Sequence, residues 1–252
     1  MDDFHIWEGI YNTFDEAPRV GEGFASKKYL KSTLSSTVRY LEGLKNLDDI
    51  SNTPFNISSL YIISSELYSQ NNKLNILDFG GGMGISYAKL KQTLPKNKNL
   101  NYTIIENVDV CEIAKGLFLD DANIIFYDNL PSKSNTFDTI YISSALQYVD
   151  EWQDLLKRLS EYSPKYFIFD NMNIGEIKRT YVTSQNYYES KIPCRFFHFD
   201  DMKSEMLSYN YELIFKSNFK ANVLNKYSHK PQDNFPEEYR VNFVKNLIFK
   251  EI

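Results

Sequence analysis

The residues best suited to chemistry are one aspartate and three glycines in the stretch NILDFGGGMGISY, residues 75–87. Asp78 closes an apolar segment, and Gly80, Gly82 and Gly84 follow it before a helix is predicted to begin. Glycines lack a Cβ, so the backbone can turn tightly and approach a ligand closely, and the helix start presents free N–H groups. A carboxylate at that point is poorly placed for a pyrophosphate but suits a ligand that carries a positive charge. The alternative interpretation is a glycine-rich turn that binds nothing.

The spacing of these glycines does not fit the common nucleotide-binding patterns. The dinucleotide pattern G-x-G-x-x-G/A fails in all three registers, because Ile85, Met83 and Tyr87 occupy positions that need a small residue. The phosphate-loop pattern fails as well, since no Gly-Lys-Ser/Thr follows. A nicotinamide-dependent enzyme is therefore disfavoured.

The pattern that remains, D-x-G-x-G-x-G, resembles motif I of the class I S-adenosylmethionine-dependent methyltransferases. In that family the glycine loop lies against the methionine part and the ribose of the cofactor. The resemblance implies S-adenosyl-L-methionine as the cofactor, held by Asp78, Gly80, Gly82 and Gly84. It covers residues 72–170 well and the end of the chain loosely.

Acidic residues that follow the next two strands extend this predicted site. Glu106 ends the strand predicted at 102–106, and its two oxygens could accept both ribose hydroxyls, as acids do in dinucleotide-binding folds. The alternative is a surface glutamate. Asp128 follows the strand predicted at 123–127, and the resemblance implies that it meets the adenine amine. It could equally cap the turn toward Pro131.

A longer pattern marks the fourth strand. Residues 137–149 read F-D-x-I-x-x-S-x-x-L-x-Y-V and resemble motif IV of the same family, in which the strand end sits beside the transferred methyl group. The resemblance places Ser143 at that strand end. Because ligands of doubly wound sheets bind outside the carboxyl ends of the strands, Ser143 and the three acids above are expected to converge on one rim.

Strands and helices alternate between residues 72 and 170, which predicts an α/β fold. Together with the resemblance, this predicts a doubly wound, mostly parallel seven-stranded sheet. Two late strands, near 211–217 and 241–249, are expected to complete it. Residues 72–252 would then form the class I methyltransferase domain.

Two segments outside this alternation are expected to shape the site. Residues 1–71 are expected to form an N-terminal arm and a helical extension, with helices at 25–47 and 56–71, that cover the site. The aromatic arm at 1–24 either packs into a groove of the core or covers a substrate, and the two are compatible. Residues 171–200, which are polar and aromatic, are expected to form an insertion that folds over the rim.

Few side chains could act as a general base, because the chain has only three histidines. His198 lies in the aromatic insertion, and its alternative role is that of a half-buried histidine between Phe197 and Phe199. His5 and His229 lie in a terminal arm and a basic loop and are weaker candidates.

Three further side chains could orient an acceptor. Tyr148, Gln147 and Asn171 stand near predicted strand ends. The alternative for all three is ordinary hydrogen bonding at the rim. Basic residues of the insertion, such as Lys178 and Arg195, could bind an anionic acceptor, although such residues are usually only solvated.

Composition narrows the function classes further. The 252 residues carry a net charge of −5, so the chain lacks the basic footprint of a nucleic-acid-binding protein. Cys111 and Cys194 are far apart and form no C-x-x-C pattern, which argues against a disulfide scaffold or a metal site and fits a reducing cytoplasm. No signal peptide is recognisable, and no run approaches the roughly 18 apolar residues of a membrane span.

A narrower resemblance spans most of the chain. W-E-G-I-Y-N-T-F-D-E-A at 7–17, G-E-G-F at 21–24, D-F-G-G-G-M-G at 78–84 and S-S-A-L-Q-Y-V-D-E-W at 143–152 together resemble a methyltransferase family commonly associated with bacterial surface-polysaccharide gene clusters. The reactions of that family are poorly defined, so the resemblance supplies a context and no substrate. The expected function is O-methylation of a small sugar or phosphoryl acceptor by a monomer or homodimer. The alternatives are N-methylation of a small molecule and a non-catalytic subunit that binds the cofactor.

Overall fold

The computed structural model of the protein describes residues 4–45, 59–95, 99–219, 222–223, 226–227 and 230–252. Its elements are, in chain order, β1 (Trp7–Tyr11), α1 (Lys27–Lys45), α2 (Ser59–Gln70), β2 (Lys73–Phe79), α3 (Ile85–Thr93), β3 (Asn99–Ile105), α4 (Val108–Leu117), β4 (Ile124–Tyr127), β5 (Thr139–Ser143), α5 (Trp152–Ser160), β6 (Tyr166–Met172), β7 (Ile174–Gly175), β8 (Tyr181–Tyr187), β9 (Ser190–His198), α6 (Phe199–Ser208), β10 (Tyr211–Phe219), β11 (Asn222–Val223), β12 (Lys226–Tyr227) and β13 (Val244–Glu251).

The main sheet has seven strands in the order β10-β13-β6-β5-β2-β3-β4. The strands from β6 to β4 run parallel to one another, whereas β13 is antiparallel to both of its neighbours. The sheet is therefore mixed rather than wholly parallel. The strand order reverses between β2 and β5, because the chain builds β3 and β4 on one side of β2 and then returns to the other side.

Both faces of the main sheet are covered by helices. Successive residues of a strand point to opposite faces, so Ile76 and Ile168 pack with α2, α3 and α4, while Leu77 and Phe167 pack with α5 and α6. Strands that are apolar on both faces need such double cover. The arrangement is the doubly wound one that the sequence predicted.

A second sheet of four strands has the order β1-β8-β9-β7. The antiparallel hairpin β8–β9 forms its centre, and the N-terminal strand β1 adds to β8. Trp7 of β1 is buried in an apolar cluster with Tyr181, Phe196 and Val241. The N-terminal arm is therefore packed onto the insertion that follows β6.

The predicted alternation of strands and helices between residues 72 and 170 is confirmed, with ends shifted by a few residues. The late strands are confirmed as β10 and β13. The hairpin β8–β9 and the strand β1 are additions to what the sequence predicted, since neither segment was assigned strands.

Helices α1 and α2 fall within the ranges 25–47 and 56–71 that the sequence predicted. Residues 46–47 and 56–58 of those ranges lie outside the described residues. The division of the chain into an N-terminal extension and a catalytic domain stays a prediction. Within the described ranges, no helix combines the length and the apolar character needed to cross a membrane.

Candidate functional site

A cavity of about 780 Å³ opens at the carboxyl ends of β2, β3, β4 and β5. The strand order reverses at this place, and ligands of doubly wound sheets bind at such a point. N-terminal residues and the hairpin β8–β9 supply the opposite wall. The lining residues are Arg19, Gly21, Glu22, Gly23, Phe24, Ala25, Tyr29, Phe79, Gly80, Ile105, Glu106, Asn107, Asp128, Ser143, Ser144, Ala145, Tyr148, Val149, Tyr187, Lys191, Ile192 and Pro193.

The glycine loop after β2 is tied to the end of the neighbouring strand. Gly80 donates its backbone N–H to the carbonyl oxygen of Ile105 over 2.8 Å. Its φ is 71°, and a Cβ built on Gly80 would collide with the Cβ of Ala145. Gly84, directly before α3, has a φ of 83°, which side chains rarely tolerate. Glycine is therefore needed at these two positions for reasons of backbone geometry.

The carboxylate of Asp78 is completely buried, directly under the backbone of Gly81. Its Oδ2 accepts a hydrogen bond from the hydroxyl of Tyr102 over 2.7 Å, whereas no described residue donates one to Oδ1. Burial raises the pKa of Asp78 to about 7; the Tyr102 hydrogen bond opposes this increase, and the charge of Glu106 adds to it. Asp78 thus supports the glycine loop from below and does not reach the cavity surface. Its predicted role in holding the cofactor stays a prediction.

Glu106 follows β3 and lines the cavity. Its Oε2 accepts the backbone N–H of Asn107 over 2.8 Å, and the backbone N–H of Gly82 in the glycine loop also donates to the carboxylate. Burial raises the pKa of Glu106, and these two backbone hydrogen bonds oppose the increase. A carboxylate can accept about four hydrogen bonds, so Glu106 retains capacity for donors of a ligand in the cavity.

Asp128 and Ser143 line the same cavity, after β4 and at the end of β5 respectively. The side chain of Asp128 is exposed. Among the described residues, none in the turn toward Pro131 donates a hydrogen bond to the carboxylate of Asp128. Ser143 is held in register with Asp170 of β6. Asp128 and Ser143 therefore share one wall with Gly80 and Glu106, at the rim where the sequence predicted convergence.

Tyr148 lies in a short 3-10 turn after β5 and also lines the cavity. Its hydroxyl donates a hydrogen bond to Oε1 of Gln185 in β8 over 2.9 Å. Burial raises the pKa of Tyr148 well above its usual range, so the phenol is uncharged near neutral pH. This position suits a residue that orients an acceptor and not one that removes its proton; the role stays a prediction.

Asn171 and His198 lie outside the cavity wall. The backbone N–H of Asn171 donates to Oδ1 of Asn246 over 2.9 Å, and its side-chain amide donates to Oγ of Ser144. His198 ends β9, with its Nδ1 3.8 Å from Oδ1 of Asp201. The catalytic roles suggested for both residues stay predictions, and these positions give them no support.

Residues that the sequence did not single out complete the cavity. Phe24 and Tyr29 come from the N-terminal region, and Tyr187 and Ile192 come from the hairpin. The sequence analysis expected their segments, 1–71 and 171–200, to cover the site, and the aromatic content of 15% agrees with a cover, but neither signal assigned a contact to a single residue. The weaker base candidate His229 lies outside the described residues.

No protein-family model matches the chain, and a search of the curated proteins finds no similar sequence. Solved structures do share its fold. An S-adenosylmethionine-dependent methyltransferase from Methanosarcina mazei has a TM-score of 0.54 at 10% identity, covering 79% of this chain and 99% of that one. A structure of the Haloferax volcanii Trm112 methyltransferase activator with a candidate methyltransferase has a TM-score of 0.53 at 11% identity, covering 92% and 98% of the two chains. The protein therefore has the fold of the S-adenosylmethionine-dependent methyltransferases.

Proposed function

We propose that the protein is an S-adenosylmethionine-dependent methyltransferase that methylates an oxygen of a small acceptor. The observation that carries the proposal is the shared wall of one cavity, where the glycine loop, Glu106, Asp128 and Ser143 meet at the strand ends. The fold common to this chain and the methyltransferases of solved structure supports it.

The residues present fit the proposed cofactor. A sulfonium charge is favoured in a cavity bordered by Glu106 and Asp128, with the buried and partly unpartnered Asp78 below. The two oxygens of Glu106 would accept the ribose hydroxyls, and Asp128 would accept the adenine amine. Gly80 would let the backbone approach the ligand, and Ser143 would border the methyl group.

When bound, the cofactor supplies a methyl group that is activated by its positive sulfur. The protein must then hold an acceptor oxygen close to that methyl group and in line with it, and positioning alone can supply much of the acceleration. A phosphoryl oxygen needs no base, whereas a sugar hydroxyl must give up its proton as the methyl group leaves sulfur for oxygen. Among the described lining residues, the carboxylate of Glu22 would be available to take that proton. Tyr148, which is uncharged and hydrogen-bonded, would orient the acceptor.

The proposed acceptor is a sugar or a phosphoryl group, such as a phosphoramidate or a nucleotide-linked sugar. This choice follows from the sequence resemblance to methyltransferases of surface-polysaccharide gene clusters, as does the proposed setting in the cytoplasm of a bacterium. The same site could methylate nitrogen, since a neutral amine also needs no base. A purely cofactor-binding subunit is disfavoured, because the cavity is also lined by Phe24, Tyr148 and Tyr187, to which no contact with the cofactor is assigned.

Calorimetric titration with S-adenosylhomocysteine tests the proposed function. We expect micromolar binding to the wild type, and weaker binding by about 1–3 kcal/mol in Glu106→Ala, because the ribose hydroxyls would lose their acceptor. Glu212→Ala, at an exposed position of β10 in the edge strand of the main sheet, is the control and should bind as the wild type does.

The same titration with NAD should show no binding. Absence of S-adenosylhomocysteine binding to the folded wild type would reject the methyltransferase proposal and leave the glycine loop as a turn without a ligand.

A further inference from the structure

We propose that the part of the cavity lined by Phe24, Tyr29, Tyr148 and Tyr187 binds an uncharged six-membered ring that carries a hydroxyl group. The ring would pack against Phe24 and Tyr148. This inference rests on the proposed function and changes its acceptor: it keeps the sugar in a neutral form, sets aside the nucleotide-linked sugar and the phosphoryl group, and adds a phenol. A neutral pyranoside and a phenol share this chemistry, and the experiment below distinguishes them. A nucleotide-linked sugar and a free phosphoryl group do not share it.

Phe24 is the centre of a group of four aromatic rings. Its ring centroid lies 4.8 Å from that of Tyr148, 5.2 Å from that of Tyr29 and 5.9 Å from that of Tyr187, in each case edge to face. All four residues line the cavity. Such a group offers a ligand a broad apolar surface and favours flat partners, because aromatic rings gain most from contact with a flat face or an edge.

The three hydroxyls of this aromatic wall are already engaged. The hydroxyl of Tyr148 donates to Gln185, and those of Tyr187 and Tyr29 are hydrogen-bonded to Tyr188 and Thr33 respectively. A ligand rich in charged groups would lose its hydration here without gaining partners, which is costly. An uncharged ring would lose less hydration than a charged group and would bury the apolar C–H surface of its face.

Phe24 reaches the cavity on the strap, which we define as residues 19–25. Val20 forms two backbone hydrogen bonds with β9, of 3.1 and 2.9 Å. The backbone N–H of Gly23 donates to Oγ of Ser190 over 3.1 Å. The strap is therefore fixed on both sides of residues 21 and 22, and Phe24 is presented to the cavity by hydrogen-bonded backbone.

The charged residues that the N-terminal region contributes to the cavity lining balance. Arg19 and Glu22 both line the cavity, with opposite charges. Lys191 lines it too, but its ammonium lies 2.7 Å from the carboxylate of Glu8. The wall at the strand ends, where the cofactor would bind, contributes the carboxylates of Glu106 and Asp128 and, among its described residues, no cation. The cavity thus has no excess positive charge with which to offset a diphosphate, and its interior would repel one.

Saturation-transfer NMR on the wild type saturated with S-adenosylhomocysteine tests the inference. The probes are methyl α-D-glucopyranoside, 4-methylphenol and UDP-glucose, at equal concentration. We expect transfer to at least one of the two neutral rings, and the responding ring identifies the acceptor type. Transfer to the glucose protons of UDP-glucose should be absent.

Two variants show where the ring binds. Phe24→Ala should reduce transfer to the neutral probe at least fivefold, and Phe24→Leu, which keeps apolar volume in case the alanine variant unfolds, should reduce it at least twofold. Phe215→Ala, at an exposed phenylalanine of β10, is the matched control and should leave transfer unchanged. S-adenosylhomocysteine titration of each variant verifies that the cofactor half is intact.

Several results would overturn the inference while leaving the proposed function standing. They are transfer to UDP-glucose alone, transfer to none of the probes, or equal transfer in Phe24→Ala and Phe215→Ala, each with S-adenosylhomocysteine bound. A wild type that does not bind S-adenosylhomocysteine would instead reject the proposed function, and this inference with it.

Discussion

The backbone of Gly80 lies so close to the methyl group of Ala145 that a side chain at position 80 would collide with it. Gly80 follows β2 and Ala145 follows β5, so the contact joins the two strands between which the strand order reverses. The floor of the cavity is formed at this junction, and both residues line it.

This contact predicts unequal effects of two similar substitutions. Gly82 also has a positive φ, 58°, but a Cβ there would meet open space. Gly82→Ala should therefore lower the free energy of unfolding only by the roughly 1–2 kcal/mol that a side chain costs in a left-handed backbone conformation. Gly80→Ala should lower it by that amount plus roughly 1–3 kcal/mol for the overpacking against Ala145. Urea denaturation of both variants measures the difference.

Binding of S-adenosylhomocysteine should follow the same order, because displacement of Ala145 would alter the cavity wall. Equal losses of unfolding free energy in the two variants would show that the Ala145 turn moves aside freely, and that the junction does not constrain the cavity.

The side of the cavity at the strand ends could be predicted from local sequence for a physical reason. Parallel strands place their carboxyl ends on one edge of a sheet, so a polar residue after each strand is brought there by the strand itself. Glu106, Asp128 and Ser143 follow this rule. Burial depth does not follow from it: Asp78 is covered by its own loop and bonded to Tyr102, 24 residues away.

The contacts on the opposite side of the cavity, which the N-terminal region and the hairpin β8–β9 form, could not be predicted in this way. Strand β1 pairs with β8 across more than 170 residues, and no local pattern encodes such a pairing. The turn of the hairpin β8–β9 consists of Tyr188 and Glu189, with φ of 47° and 63°. Such turns normally use Asn-Gly or Asp-Gly, so the usual sequence signal was missing. The backbone N–H of Asn171 donates to Asn246 on the last strand, a contact that local sequence does not indicate, and the catalytic role suggested for Asn171 stays a prediction.

The raised pKa of Asp78 predicts that stability falls as pH rises from about 4 to about 7. Burial raises this pKa from 3.8 to about 7. In that window the native protein holds a proton that the unfolded chain releases, so the free energy of unfolding decreases with pH. The contribution of Asp78 to the free energy of unfolding is fully present below its pKa in the unfolded chain, and it is lost as pH rises through its pKa in the native protein. Urea denaturation at pH 4.5 and 7.5, both within ordinary buffers, measures it.

Asp78→Asn should remove this part of the pH dependence, whereas Asp200→Asn, at an exposed position of α6, should retain it. In the wild type the hydrogen bond from Tyr102 lowers the pKa of Asp78. Tyr102→Phe removes this bond, so the pKa should rise further and the decrease in stability should occur at higher pH. Identical pH dependence in the wild type and Asp78→Asn would mean that the buried carboxylate is ionised throughout, and that a donor other than Tyr102 satisfies it.

Lys230 predicts the opposite dependence at alkaline pH. Its ammonium lies 4.7 Å from the ring centroid of Trp7 and 5.4 Å from that of Phe196, and it donates to Oδ1 of Asn173. Burial lowers the pKa of Lys230 from 10.5 to about 8, and the nearby Cys194 opposes the decrease. Between these values the unfolded chain binds a proton that the native protein has released. The free energy of unfolding should therefore rise with pH across this window.

Lys230→Met keeps the apolar stem and removes the charge, so it should remove this rise; Lys203→Met, on the exposed side of α6, should not. Urea denaturation at several pH values between 7.5 and 10.5 gives the free energy of unfolding of the wild type and of both variants. The difference between each variant and the wild type cancels the titration of the other groups. The cation–π contacts stabilise the charged form by about 0.5–2 kcal/mol, which acts against the cost of burial. If the wild type and Lys230→Met show parallel curves, these contacts with Trp7 and Phe196 offset burial completely. Lys230 would then link β1 to β9 within the second sheet as a permanent cation.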